Sequence, residues 1–431
     1  MMNFKSVIKN NLLLKITSLN AIVIVFRLII SLFIQRLLAI MVGEAGIAKI
    51  GQLRNLIQII TSSSTLGTFN GVIKYVSEYK ENKEKIDGLF SSIFGFLFIG
   101  SVITSGVLYY NVTFITTELF GDLEFVDVIR CLTLLPLIIG LNRVFYGIVN
   151  GLTEYKTFAK IDLFSNVLSA LLLVICLYQF NLKGVLFAII IAPIIQLVII
   201  LYVFGATLNK YFKLKSLDFK IPFAKELLAF TLMSIISTVL LNYIELDLRI
   251  IITDKINIDE AGYWTAMNFI SKNYMAFSSS LFTLYVIPKF ARIHTLPLFK
   301  KEVINIYKTI LPLFGIGMLL VYLFRRVFIE LIYPDFTGLE PLFKWQLLGD
   351  FVRLAALVIS HQFLAKKMVG SFVVTELISL GVFYFLSKNL VVLYGAEGVV
   401  MAHFYRCLIY FIIIICTIWF YFFKLEKKKT S

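Results

Sequence analysis

Runs of about twenty apolar residues recur along nearly the whole chain, separated by short polar breaks, and no other feature restricts the fold so tightly. Segments 184–204 and 407–423 are continuously apolar. A bilayer core of about 30 Å is crossed by about 20 residues of helix, so runs of this length read as membrane spans. Within lipid every backbone polar group needs an internal partner, which leaves helices or a closed barrel. The alternating ten-residue strands of an outer-membrane barrel are absent from the sequence. Composition agrees, since 59% of the 431 residues are hydrophobic and only 16% are charged.

The apolar runs predict helices at 16–41, 46–76, 88–110, 126–149, 157–179 and 184–205, then at 228–253, 260–287, 303–324, 340–365, 369–387 and 395–422. The fold class expected is an all-α polytopic membrane protein with about twelve transmembrane helices in two six-helix lobes. The lobes, residues 1–207 and 227–431, flank a basic break at 208–226 that carries Lys210, Lys213, Lys215, Lys220 and Lys225. Lysine and arginine in short loops set orientation. Lys80, Lys83, Lys85, Lys156, the linker lysines, Lys289, Arg292, Lys300, Lys301, Lys366 and Lys367 fall on the same side as both termini. Lys183, Lys255, Arg325, Arg326 and Lys388 fall on the other, which predicts a multi-pass membrane protein with both ends cytoplasmic. Met1 to Lys15, with Lys5 and Lys9, lacks a cleavage site and is expected to be a retained cytoplasmic end. Glu44-Ala45-Gly46 recurs as Glu260-Ala261-Gly262, a half-chain later. Both halves enter the membrane from one side, so the repeat implied is parallel, with a pseudo-two-fold axis along the membrane normal.

Ionisable residues within apolar runs are costly and normally face a bundle interior or an aqueous cavity. Arg27 falls some 11 residues into the first predicted helix and Arg54 about a third of the way along the second. A planar, permanently charged guanidinium suits paired bonds to phosphate oxygens, so both are candidate phosphate ligands. Arg36 lies about 180° around the helix from Arg27, and either snorkels to the outer headgroups or shares the interior if the helix bends. Asp350 and Arg353 share a helical face at i and i+3, as do Glu245 and Arg249 at i and i+4. Each reads as a local ion pair, and Asp350 alternatively as a carboxylate whose charge changes during a transport cycle. Lys272, Glu376, His403 and Arg406 also fall inside predicted helices. The second helix is the most polar span, from Gln52 and Asn55 through Thr61–Thr65 to Asn70, and should face water or protein. Pro136, Pro193 and Pro312 mark expected kinks.

Nucleotide-binding, metal-ligand and nucleophile-elbow motifs are missing, and no soluble segment is long enough to form a nucleotide-binding domain. No cofactor or metal is called for, and the four cysteines all fall in apolar spans as small hydrophobes. The net charge of +15 is spread among inter-helix segments, which speaks against a nucleic-acid partner. A membrane polysaccharide polymerase would share intramembrane arginines, but the outer connections near 111–125 and 325–339 are too short to build a catalytic domain. A cation-coupled drug exporter would favour acidic cavity residues, whereas this chain leans basic.

Phe69-Asn70-Gly71-Val72-Ile73-Lys74-Tyr75-Val76, Phe230-Thr231-Leu232-Met233 and Trp345-Gln346-Leu347-Leu348-Gly349-Asp350 together resemble the Wzx-type flippases of the multidrug/oligosaccharidyl-lipid/polysaccharide exporter superfamily. The likeness runs in order along the chain and is nearest to those carrying the lipid-linked unit of enterobacterial common antigen. It implies alternating access that moves an undecaprenyl-diphosphate-linked oligosaccharide, an O-antigen or common-antigen repeat unit, from the cytoplasmic to the periplasmic leaflet. It implies no enzymatic activity. The implied partners are that lipid-linked substrate, membrane lipids, and polymerase and chain-length proteins of the same pathway. Arg54, Arg249 and Asp350 fall where the family pattern has the same residues, while Arg27, Arg36 and Arg353 fall where it has lysine. Lys272 departs, since the pattern is acidic there, and stays a candidate only on its own position. The substrate-binding set expected is therefore Arg27, Arg54, Arg249, Arg353, Lys272 and Asn70, with Asp350 and Glu376 as coupling or ion-pair residues. These would line a hydrated cleft between the lobes.

Overall fold

The computed structural model describes residues 12–211, 221–282, 286, 289–290, 292–366 and 368–430. Lys5 and Lys9 of the expected cytoplasmic end, Lys213, Lys215 and Lys220 of the basic break, Lys367, and part of the predicted helix 260–287 lie outside them. The described chain is helical throughout. Its helices are α1 (Leu12–Ser64), α2 (Phe69–Tyr79), α3 (Lys83–Tyr110), α4 (Val112–Phe120), α5 (Val126–Leu132), α6 (Pro136–Gly151) and α7 (Tyr155–Tyr211). After the break follow α8 (Ala224–Ser234), α9 (Leu241–Lys255), α10 (Ile258–Leu281), α11 (Leu296–Leu323), α12 (Arg325–Ile332), α13 (Leu342–Ala365) and α14 (Val369–Thr430). Among the described residues seven stretches are long and apolar enough to cross a bilayer, so this is an all-helical, multi-pass membrane fold.

Three of these stretches are too long for one crossing. The 57 residues of α7 would extend about 85 Å at 1.5 Å each, against about 30 Å of hydrocarbon. The excess is resolved by single non-helical residues, Gly43 in α1, Asn181 in α7 and Gly395 in α14. A Cβ added to Gly184 would overlap the Cys176 carbonyl, and one at Gly398 the Leu390 carbonyl. Residues eight apart lie about 12 Å apart on a straight helix, so the chain folds back at both places. The two turns are near copies, with φ/ψ of 49°/−139° at Asn181 and 56°/−140° at Gly395, at positions 214 residues apart.

Other elements depart from the predicted spans for local reasons. The expected helix 46–76 breaks between Ser64 and Phe69, where Leu66 and Gly67 take left-handed φ of 46° and 69° and Thr65 and Thr68 turn their hydroxyls onto preceding carbonyls. The expected helix 126–149 is also divided, because Pro136 opens α6 at its first turn rather than kinking a continuous helix. Within 228–253 the residues Ile235–Leu240 wind as a π-helix between α8 and α9. Pro193 and Pro312 lie inside α7 and α11 as expected, and the Pro193 carbonyl accepts a bond from Asn142 at 2.6 Å.

The residues group into two compact units. One joins Met1–Leu37 to Gln52–Asn242, the other Leu38–Gly51 to Tyr243–Ser431. The core of the first is built by Val72 and Val76 of α2, Leu89, Phe90 and Ile93 of α3, Val144 and Ile148 of α6, and Ile200 and Phe204 of α7. Apolar side chains gain little from association when lipid is the solvent, so close backbone approach matters more. Gly147 and Gly151 supply it: a Cβ on either would meet Val72 or Val76 within 3 Å. In the second unit Phe282, Val286, Phe290, Phe299, Leu354, Val358, Ile414 and Phe422 form the core. There the two copies of the Glu-Ala-Gly triplet touch, Gly262 lying against the Glu44 backbone.

Candidate functional site

The first unit carries Arg27, Arg54 and Asn70. Arg27 sits on α1 ahead of the Gly43 turn with its side chain 42% exposed, and a guanidinium nitrogen lies 3.7 Å from Asp162 of α7. Asp162 was invisible as a partner in sequence, since 135 positions separate the two and only the fold of α7 onto α1 brings them together. Arg54, beyond the turn on the same helix, is half-buried, as is Arg36. Asn70 is exposed in the first turn of α2. The polar second span faces protein, as its composition required. Asn55 donates to the Asn242 carbonyl at 3.1 Å, and the Ser62 and Ser234 hydroxyls meet at 2.9 Å. Each bond fastens α1 to the α8–α9 segment and relieves polar groups that lipid would leave unsatisfied.

The second unit holds the remaining candidates in two clusters. Arg249 is buried, its Nε donating to the Thr265 hydroxyl at 2.7 Å and its Nη1 to the Glu245 carbonyl at 3.2 Å. Its guanidinium carbon lies 4.8 Å from the Trp264 ring centre. The Glu245 carboxylate reaches across to Lys272 on α10, at 3.2 Å. Arg249 thus bonds the main-chain carbonyl of Glu245, while the Glu245 carboxylate makes a pair between helices with Lys272. Lys272 itself is exposed, so one edge of this cluster is accessible.

The other cluster centres on Asp350, which is completely buried on α13. Its Oδ2 accepts bonds from the Ser271 hydroxyl at 2.5 Å, the Tyr274 hydroxyl, and the Gln346 amide at 3.0 Å. Its Oδ1 faces His403 Nε2 at 3.1 Å. Arg353, the neighbour expected at i+3, acts on Asp350 through its field without a direct bond among the described residues. Neutral hydroxyl and amide donors fill a carboxylate's acceptor sites without desolvating a second fixed charge, which explains the choice of partners. Nearby, Arg406 donates to Ser379 at 2.9 Å and lies 3.7 Å from Glu376. Ser271, Tyr274 and Gln346 were not singled out by sequence. Gln346 alone carried a signal, sitting one helical turn before the aspartate. Among the described residues no group of three or more His, Cys, Asp or Glu side chains is placed to hold a metal ion.

The solved structures of two transporter types share this fold. An inward-facing multidrug resistance MATE family transporter of the MOP superfamily matches with a TM-score of 0.70 at 14% identity, over 94% of this chain and 96% of its own. The lipid II flippase MurJ, in an inward closed conformation, matches with a TM-score of 0.68 at 16% identity, over 92% of this chain and 87% of its own. In sequence, the lipid III flippases of Escherichia coli (strain K12) and Shigella flexneri are each 25% identical over 384 residues, 88% of this chain and 92% of theirs. The profile of the polysaccharide biosynthesis protein family matches residues 51–335. The chain therefore belongs to the polysaccharide biosynthesis protein family.

Proposed function

We propose that this protein is a flippase that carries an undecaprenyl-diphosphate-linked oligosaccharide from the cytoplasmic to the periplasmic leaflet by alternating access. The observation that carries the reading is the match to the lipid III flippases along 92% of their length. In this reading twelve spans form two six-helix repeats. The paired turns at Asn181 and Gly395 and the repeated Glu-Ala-Gly triplet support it. Both termini and the basic break 208–226 face the cytoplasm.

Arg27 and Arg54 are assigned to the diphosphate, because both are cationic forks on the one helix that bears the Gly43 turn. Asp162 serves as the resting counterion of Arg27, held at 3.7 Å and open to displacement by a more highly charged phosphate. Arg249, enclosed by Thr265, Trp264 and the Glu245 carbonyl, is assigned a structural role beside the Glu245–Lys272 pair. Asp350 with His403, and Glu376 with Arg406, are assigned to coupling. Arg353 and Asn70 are secondary substrate contacts. Replacement of Arg54 by alanine should abolish export of the surface glycan at normal protein abundance, and full export in that variant would remove the assignment.

A drug exporter is the rival, favoured by the shared fold of the MATE family transporter. A strain lacking the gene separates the two: lipid-linked units accumulating on the cytoplasmic side support the flippase, and drug hypersensitivity with normal glycan supports the exporter.

A further inference from the structure

An apolar groove runs along the outer side of the antiparallel pair α11 and α13. It has two confluent parts, of about 600 and 350 Å³, that share Gly315, Leu319 and Phe351. Gly315 leaves the opening, since a Cβ there would meet the Phe351 ring at 3.3 Å. Phe351 forms the floor. Near the inner end Tyr307 donates to the Ala355 carbonyl at 2.8 Å and fixes α11 to α13.

Length restricts what can occupy it. From Ile304 to Tyr322 the groove follows α11 for about 27 Å, nearly the full hydrocarbon thickness of about 30 Å. A phospholipid acyl chain ends near the midplane and fills one half only. A polyprenyl chain is long enough to occupy both. Charge restricts it further. Lys308 lines the inner part and Lys344 the outer part, and both are exposed. Among the described residues Lys308 has no hydrogen bond or ion pair, and it lies two turns further along α11 than Lys300 and Lys301, which the proposed orientation puts at the cytoplasmic interface. A lone ammonium at that depth is costly until an anion meets it.

We propose that this groove is a docking site for the polyprenyl diphosphate portion of the cargo, separate from the arginine site. The tail lies on Phe351 and Gly315; Lys308 meets the diphosphate of an inner-leaflet lipid and Lys344 that of an outer-leaflet lipid. The site therefore serves the same lipid before and after its passage, and it rests on the flippase reading above.

The test uses the full-length protein in nanodiscs with two probes, a long polyprenyl diphosphate and farnesyl diphosphate, retention being read by native mass spectrometry. Filling the groove with Gly315→Leu should reduce retention of the long probe about tenfold and leave farnesyl diphosphate unchanged. Lys308→Gln should weaken both. In the unaltered sequence, a photoreactive residue at Ile316 should crosslink the long probe, and one at Leu313, outside the groove lining, should not. Equal crosslinking at the two positions, or displacement of the long probe by phosphatidylglycerol, would overturn the proposal, as would unchanged retention in Gly315→Leu. Failure of the wild-type protein to retain any polyprenyl diphosphate would instead overturn the flippase reading itself. Export that persists in Gly315→Leu with crosslinking lost leaves that reading standing and shows the groove to be dispensable.

Discussion

Asp350 takes four donors, from Ser271, Tyr274, Gln346 and His403, drawn from three helices. Removing the carboxylate strands all of them in a buried site, and an unsatisfied buried donor costs about 1–3 kcal/mol. Asp350→Ala should therefore lower the detergent-solubilised melting temperature sharply, by an equivalent of about 3 kcal/mol or more. Asp350→Asn keeps one acceptor but turns an amide donor toward other donors, and should fall between wild type and alanine. Thermal unfolding of the purified variants checks the order, and an alanine variant as stable as wild type would contradict the network. The aspartate was legible in the sequence as an acid inside an apolar run. Its partners were not, because Ser271 and Tyr274 lie 79 and 76 positions away and no local periodicity links them. The same limit hid Asp162 from Arg27, while the i+3 rule pointed to Arg353, which acts on Asp350 without a direct bond among the described residues.

Among the helices, the interruption between α1 and α2 shows how a break is specified. Gly67 has φ of 69°, and a Cβ on it would also meet Ser234 Cβ at 2.6 Å. Gly121, at the end of α4, has the same φ with nothing within 4 Å. Gly121→Ala thus measures the left-handed penalty alone, about 1 kcal/mol, and Gly67→Ala adds a steric clash with α8 and should cost at least twice as much. Unfolding midpoints of the two variants test this, and equal losses would mean that α8 yields freely. Hydropathy located the long helices, because length and apolarity are all a bilayer demands of a span. It passed over the Thr65–Thr68 break and the Ile235–Leu240 π turn, whose residues are compatible with a helix and are redirected by hydroxyl bonds and a neighbouring helix.

For the whole molecule, the proposed orientation is open to labelling. With the native cysteines replaced, a cysteine at Lys183 or Lys388 should react with a membrane-impermeant maleimide in intact spheroplasts, and one at Lys156 only after lysis. The reverse pattern would invert the topology. The multi-pass fold was legible throughout, from apolar run length alone. The proposed repeat left only a recurring triplet in the sequence, whereas the similar turns at Asn181 and Gly395 are a matter of backbone conformation, and their two side chains differ.

The border between the compact units falls at Asn242 and Tyr243, inside α9 and next to the π segment, and again at Leu37 and Gly51 inside α1. Adding or deleting one residue within a helix turns one side of the change by about 100° relative to the other, and in α9 after Arg249 this would carry Glu245 and Arg249 away from Lys272 and Thr265. Length variation in related chains should accordingly avoid 38–51 and 241–255, whereas amino-acid replacement need not.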